Sequence, residues 1–281
     1  MIAVTGANGY VGGRILAHLR AAGTGALALV RRPEQDDGPS RRFALGEPLA
    51  EGTLEDVHTV IHAAWDMTAR GEQVAAVNVA GSLPLLDALA ARGGRALLIS
   101  SLSAFATARS DYGRAKYALE QAVQRRGGLA VRPGLVFGAG AGGLFGRLAA
   151  TSSQRPLMPI VGSSERLFVT HDEHLAILVA GLAAAPPDRQ GTIFAAHERP
   201  TTLRAIVEQI AAARGGNVRL VPIPARAVLT ALRLAEAAGL QPAYRSDSLL
   251  SLVNPAPLDE LSELERPSLT FPALSPDLWE G

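Results

Sequence analysis

The sequence predicts an α/β fold with a doubly wound parallel sheet and a small C-terminal substrate cap. Three observations carry this. Short apolar runs of strand length alternate with longer helical stretches. A glycine-spaced turn joins the first strand to the first helix. After Pro133 the pattern shifts to a Gly-rich segment and Pro-containing loops. The 281 residues suffice for one large α/β domain or for such a domain plus a cap.

In chain order, Ile2–Thr5 reads as a strand and Tyr10–Ala22 as a helix ended by Gly23. Ala26–Val30 is the second strand. The segment 31–56 is short and rich in Pro, Gly and charge, with a strand expected near Phe43–Leu45 and an abbreviated crossover. Val57–Ala64 and Arg95–Ser100 are buried strands, joined by a helix expected to run from Glu72 to Arg92. Tyr112–Arg125 is helical and Leu129–Arg132 is a further strand. Continuous apolar strands between helices belong to a sheet covered on both faces, whose right-handed crossovers gather ligand loops at the carboxyl ends. Residues 1–140 are expected to form a dinucleotide-binding domain, and 141–281 a mixed α/β cap interleaved with the last sheet strands. The tail after Asn254 carries several prolines and is expected to wrap the surface.

Composition excludes several classes. Hydrophobic residues make up 48% and charged residues 19%, a globular balance that argues against disorder. A net charge of +1 gives no global field for nucleic acid. With no cysteine, disulfides, thiolate catalysis and Cys-ligated zinc are excluded, and a reducing cytoplasmic setting fits. The chain opens directly on a strand pattern, so no signal peptide is expected. The apolar run at 175–185 is too short to span a bilayer, and no membrane partner is expected.

Thr5-Gly6-Ala7-Asn8-Gly9-Tyr10-Val11-Gly12 lies at the first strand–helix junction, where a dinucleotide loop belongs. Gly6 permits the tight turn, Gly9 lets the backbone approach a pyrophosphate, and Gly12 allows helix and strand to pack closely. Amides at Asn8, Tyr10 and Val11 then face the phosphates. This is the Rossmann arrangement. The residue ending the second strand selects the cofactor: an acid binds the adenosine ribose diol, whereas here Val30 is followed by Arg31 and Arg32. Arg31 suits a 2′-phosphate and Arg32 adds charge or stacks on adenine, so NADP(H) is expected.

Tyr112 and Lys116 are spaced i and i+4 and share one helix face. A nearby ammonium favours phenolate, which predicts a lowered tyrosine pKa and a general acid–base role for Tyr112. Upstream, Ser100-Ser101-Leu102-Ser103 leaves a buried strand at its carboxyl end, where a hydroxyl can hold a substrate oxygen.

Together these motifs resemble the extended short-chain dehydrogenase/reductase family, of the NAD-dependent epimerase/dehydratase type, most closely over residues 1–140. Thr-Gly-x-x-Gly-x-x-Gly matches Thr5 to Gly12. Val-Ile-His-x-Ala-Ala is matched by Val60-Ile61-His62-Ala63-Ala64, a strand end that lines adenine and ribose in the family. The family's helix Asn is Asn78, its Ser-(Ser/Thr)-x-x-x-(Tyr/Phe) segment is Ser100 to Phe105, and its Arg-Pro-Gly strand end is Arg132-Pro133-Gly134. Val169-Thr170-His171-Asp172-Glu173 looks like its later Val-x-Asp-(Asp/Glu) segment. The resemblance implies Ser101, Tyr112, Lys116 and Asn78 as the catalytic set, with Asn78 supporting the helix and a proton relay. It also implies that His62, Ala63, Ala64, Ser100, Tyr112, Lys116, Arg132 and Pro133 contact the cofactor. His171 and Asp172 are expected to tie the cap to the sheet; no metal site is expected.

The family reduces, epimerises or dehydrates. Its dehydratases carry an Asp–Glu pair after the catalytic hydroxyl, where this chain has Leu102 and Ser103. Its deoxysugar epimerising reductases need a cysteine. Its NAD-retaining epimerases carry the ribose-binding acid that Arg31 replaces here. The remaining expectation is an NADP(H)-dependent oxidoreductase that moves a hydride to or from a small carbonyl or alcohol. Two alternatives stand beside it: a nucleotide-sugar epimerase or reductase of polysaccharide or deoxysugar assembly, and a non-catalytic NADP(H)-binding sensor or complex subunit. The helices around 72–92 and 112–125 resemble the pair that builds the family's dimer, so a homodimer is expected.

Overall fold

The computed structural model describes residues 1–152, 157–162, 164–185, 191–240, 242 and 244–280. Its centre is a seven-stranded, all-parallel sheet. In chain order the elements begin β1 (Ile2–Thr5), α1 (Tyr10–Ala21), β2 (Ala26–Val30), β3 (Ser40–Arg42), β4 (Thr59–His62), α2 (Glu72–Asn78), α3 (Leu83–Ala90) and β5 (Arg95–Ile99). There follow α4 (Asp111–Gln124), β6 (Leu129–Pro133), β7 (Leu135–Phe137), α5 (Gly143–Ser152), β8 (Leu157–Ile160), β9 (Arg166–Leu167), β10 (Val169–His171), α6 (Asp172–Ala184) and β11 (Gly191–Ala195). The chain ends with β12 (Thr201–Thr202), α7 (Leu203–Ala213), β13 (Arg219–Pro222), α8 (Ala225–Ala237), α9 (Ser246–Val253) and α10 (Leu258–Ser262).

The sheet order is β11-β6-β5-β4-β1-β2-β3. Strand order reverses between β1 and β4, and the crevice at their carboxyl ends is where such sheets bind ligands. Every residue of β1, β2, β4, β5 and β6 is buried, because helices cover both faces. One face packs Ile15, Leu16 and Leu19 of α1 with Leu175, Val179 and Leu182 of α6. The other packs Leu85, Leu86 and Leu89 of α3 with Leu119 and Val123 of α4. A third cluster, around Phe137, Phe145, Ile206, Ile210 and Trp279, organises the C-terminal part. Both α6 and β11 come from beyond residue 140, yet they complete the sheet and its cover.

Three expectations change. The third strand is Ser40–Arg42 rather than Phe43–Leu45, since its register on Ala28–Val30 ends at Arg42; buried Phe43 follows, its amide on the Val30 carbonyl at 2.8 Å. The helix expected over 72–92 is broken between Asn78 and Leu83. Gly81 there abuts the Gly46 backbone so closely that a Cβ would lie 2.7 Å from the Gly46 nitrogen. Pro84, which has no amide to donate, sits in the first turn of the second piece. The tail does more than wrap the surface. Phe271 and Trp279 are core residues, and Glu265 hydrogen-bonds Phe194 and Thr192 along the outer edge of β11, covering an open sheet edge.

Candidate active site

At the end of β1 the Thr5 hydroxyl accepts the amides of Ala63 and Ala64, each at 3.1 Å. This draws the end of β4 against the glycine turn. Gly6 has φ +66°, and a Cβ there would lie 2.7 Å from the Ala64 nitrogen. A Cβ on Gly12 would collide with the Gly6 carbonyl, so α1 can sit this close only with glycine at both places. The Gly9 amide closes the turn on the Gly6 oxygen at 2.9 Å. No side chain caps α1, which leaves the first helical amides, beside exposed Asn8, to an anion. The cradle therefore fits a dinucleotide pyrophosphate. Val11 turns its side chain toward the core. The Tyr10 phenol donates to Asp172 at 2.6 Å, so Tyr10 has only its backbone to offer a phosphate. Arg31 and Arg32 stand exposed after β2, with the Arg31 carbonyl accepting from Arg42 at 2.7 Å.

Four side chains assigned to the cofactor or to catalysis are committed elsewhere. His62 is fully buried between the Thr5 hydroxyl and the Ser82 hydroxyl, both at 2.9 Å. Burial and the Lys116 charge push its pKa down to about 3, so it is a neutral core histidine. Asn78 accepts the Asp66 amide at 2.6 Å and donates to the carbonyls of Asp66 and Val74, which pins the loop after β4 and leaves no relay donor. Arg132 donates to both oxygens of Glu120, at 2.9 and 2.6 Å, and the Ser100 hydroxyl donates to the same carboxylate. An unpaired carboxylate at Glu120, with its side chain 1% exposed, would be very costly, and these partners offset that. The Pro133 carbonyl accepts the Leu102 amide at 3.0 Å, which fixes the serine segment.

The three side chains expected to be catalytic, Ser101, Tyr112 and Lys116, do converge. Ser110 caps α4 by accepting the Gly113 amide at 3.0 Å. The amides of Asp111 and Tyr112 donate to the two oxygens of Asp247, from α9, at 2.7 and 3.1 Å. A Cβ on Gly113 would collide with the Ser103 carbonyl, so the serine segment lies directly on the start of α4. The Tyr112 phenol thereby meets the Ser101 hydroxyl. Lys116 donates to the Ile99 carbonyl at 2.8 Å and lies 5.9 Å from the Tyr112 ring centre.

The expected lowering of the tyrosine pKa is not found. Burial raises the Tyr112 phenol; the Ser101 hydrogen bond opposes this and the Glu120 charge adds to it. Burial also pushes Lys116 down to about 7, with Glu120 resisting. Desolvation thus outweighs the mutual help expected from an i, i+4 pair.

A cavity of about 160 Å³ opens beside Tyr112, walled by Trp65, Met67 and Val74 on one side and by Ser248 and Ser251 on the other. Arg245 fixes the α9 wall through the carbonyls of Met67, at 2.8 Å, and Ala69, at 3.0 Å. Sequence reasoning missed Glu120, Trp65 and Asp247. Glu120 repeats the four-residue step from Lys116 and was in principle visible. Trp65 takes the sixth place of the Val-Ile-His-x-Ala-Ala segment, where only five residues were matched. Nothing local marks Asp247, which lies 135 positions from Tyr112. Phe145 and Leu148 belong to the core of the C-terminal part. Asp172 ties α6 to α1 through Tyr10 and, at 2.9 Å, Arg14.

Residues 2–194 match the NAD dependent epimerase/dehydratase family. The chain is 30% identical over 255 residues to the ceramide reductase of Caulobacter vibrioides, covering 84% of this chain and 78% of that protein. It is 26% identical to the dTDP-6-deoxy-L-talose 4-dehydrogenase (NAD(P)(+)) of Kitasatospora kifunensis, over 80% of this chain and 82% of that one. Among solved structures, MoeE5 in complex with UDP-glucuronic acid and NAD superposes with a TM-score of 0.66 at 21% identity, covering 89% of this chain and 96% of the other. RMD from Pseudomonas aeruginosa, complexed with NADPH, gives 0.62 at 21% identity, over 90% and 97%. At that identity the structural likeness is one of fold.

Proposed function

Since the chain belongs to the NAD-dependent epimerase/dehydratase family, we propose that it is a nicotinamide-dependent oxidoreductase acting at a secondary alcohol or ketone carbon of a nucleotide-linked sugar. The observation that carries the redox reading is the meeting of Ser101, Tyr112 and Lys116 at the strand ends, beside a glycine turn with no room for a Cβ at Gly6 or Gly12. The nicotinamide, when bound, supplies or accepts a hydride. Ser101 holds the substrate oxygen. Tyr112, kept protonated at neutral pH by its raised pKa, donates the proton to that oxygen in reduction and takes it back in oxidation. Lys116 supports the developing phenolate when it is charged.

The sugar reading displaces the free small carbonyl that the sequence favoured. It draws on the likeness to a dTDP-sugar dehydrogenase. A lipid-like ketone is the second reading, favoured by the 30% identity to a ceramide reductase and by the apolar wall of Trp65, Met67 and Val74. NADP(H) is the proposed cofactor because Arg31, not an acid, follows β2.

The test is NADPH oxidation with a dTDP-4-keto-6-deoxy sugar and, in parallel, with a long-chain ketone. Turnover on the first supports the sugar reading, and turnover on the second alone replaces it. Tyr112→Phe should lower kcat by about 10²–10⁴-fold while leaving the Kd for NADPH nearly unchanged. Full activity in that variant would overturn the site assignment. Stoichiometric NADPH binding with no turnover on either substrate would favour a sensor.

A further inference from the structure

Lys116 carries its charge inside the protein, 4% exposed, and that charge has few partners. The ammonium donates to the Ile99 carbonyl at 2.8 Å, and its next neighbour is an aromatic face: the Trp65 ring centre lies 4.1 Å from the nitrogen. The same indole meets the Tyr112 ring edge to face, with centres 5.3 Å apart and planes inclined by 76°. Trp65 thus touches both groups that move the proton, and it borders the cavity where substrate is expected. It occupies a place where the family pattern has alanine, so the contact is a property of this chain.

We propose that Trp65 is a positioning residue of the catalytic site, its indole face holding the Lys116 ammonium in its charged form and its edge setting the Tyr112 ring. The proposal rests on the redox reading above only in giving the charged lysine a catalytic task.

The groups around Lys116 leave this role open. Glu120, on α4, is the nearest formal countercharge, but both its oxygens are engaged by Arg132 and one also by Ser100. His62, on β4, is neutral and offers no charge of either sign. Tyr112, on α4, is protonated at neutral pH. Besides one carbonyl, the Glu120 charge and the more distant Tyr112 ring at 5.9 Å, the buried ammonium has the negative face of the indole quadrupole, the nearer of the two rings at 4.1 Å. That attraction acts on the ammonium and not on the neutral amine, so it lifts the lysine pKa against the desolvation that drags it down to about 7. Removing the indole should let that pKa fall further.

The experiment has two arms. In the first, tryptophan fluorescence of the free protein is titrated between about pH 5.5 and 9 in wild type and in Lys116→Met. An ammonium over an indole face perturbs its emission, whereas an amine does so differently, so the wild type should show a transition near neutral pH that the variant lacks. The only other tryptophan, Trp279, is common to wild type and variant and cancels in the difference. In the second arm, the pH above which kcat for reduction falls is compared between wild type, Trp65→Leu and Trp65→Phe. It should move to lower pH by about half to one and a half units in Trp65→Leu and by less in Trp65→Phe, which keeps a weaker aromatic face. A transition that persists in Lys116→Met, or superimposable pH profiles in wild type and Trp65→Leu, overturns the proposal. The first arm needs neither cofactor nor substrate. An absence of NADPH turnover in the wild type therefore sinks the functional reading and leaves this one decided by fluorescence.

Discussion

At the scale of single residues, what a side chain is and where it points are separate facts, and only the first is written in the chain. Arg31 shows the useful case. It stands exposed after β2 with its backbone held by Arg42, and its charge adds slightly to the lowering of the Asp66 pKa that hydrogen bonds from Thr68 chiefly cause. Reversing that charge should weaken NADPH binding by about 1.5–3 kcal/mol, the worth of a hydrogen bond to a charged group, and should spare or improve NADH. The ratio of kcat/KM for NADPH over NADH, measured on Arg31→Asp, checks this; an unchanged ratio removes the argument for a 2′-phosphate. Ser101, Tyr112 and Lys116 were legible because a strand end and a helical i, i+4 step fix where they lie. His62, Asn78, Ser100 and Arg132 were legible as types and illegible as roles. Each sits beside the crevice, yet its polar atoms turn to Thr5, Asp66 or Glu120. A buried polar group is spent on whichever partner folding brings, and those partners are 12 to 57 positions away in sequence.

At the scale of elements, α4 is the working part. It carries Tyr112, Lys116 and Glu120 on successive turns, and its amino end is held twice, by Ser110 and by Asp247 from α9. The Glu120–Arg132 pair joins its middle to β6 with side chains 1% and 6% exposed. Removing the cation alone leaves a buried carboxylate beside Lys116. Arg132→Ala should therefore destabilise the fold by about 3–5 kcal/mol, read as a lower midpoint in urea. An exchange of both partners for Met and Leu should cost much less, since it strands no charge. Equal losses in the single and double variants would mean that packing, not charge, dominates there. The strands themselves were readable, because a sheet covered on both faces demands continuous apolar runs. The break at 79–82 was only partly readable: Pro84 marks it in the sequence, but apolar periodicity continues through it, and the close approach of Gly81 to Gly46 is a tertiary contact.

At the scale of the molecule, one carboxylate joins the glycine turn to the C-terminal half. Asp172 begins α6 and accepts from Tyr10 at 2.6 Å and from Arg14 at 2.9 Å, both on α1, while Gly138 presses its backbone against the same carboxylate. Arg14 also donates to the Ala139 carbonyl, so three segments meet there. The resulting constraint falls on the first turn of α1, whose amides face the proposed pyrophosphate. Asp172→Asn keeps the shape and removes the charge. Arg14 has 38% of its side chain exposed and can recover water, so the stability loss should be about 1–2 kcal/mol, clearly less than for Arg132→Ala. The larger effect should fall on ligand binding. With α1 less firmly held, ordering of the turn must be supplied at the moment of binding, and the Kd for NADPH should rise by about 5- to 20-fold while kcat at saturating cofactor stays near wild type. Calorimetry on Asp172→Asn, set beside its urea midpoint, separates the two costs. A large drop in stability with unaltered NADPH affinity would make Asp172 a support of the fold alone and would detach the cap from any part in holding the cofactor.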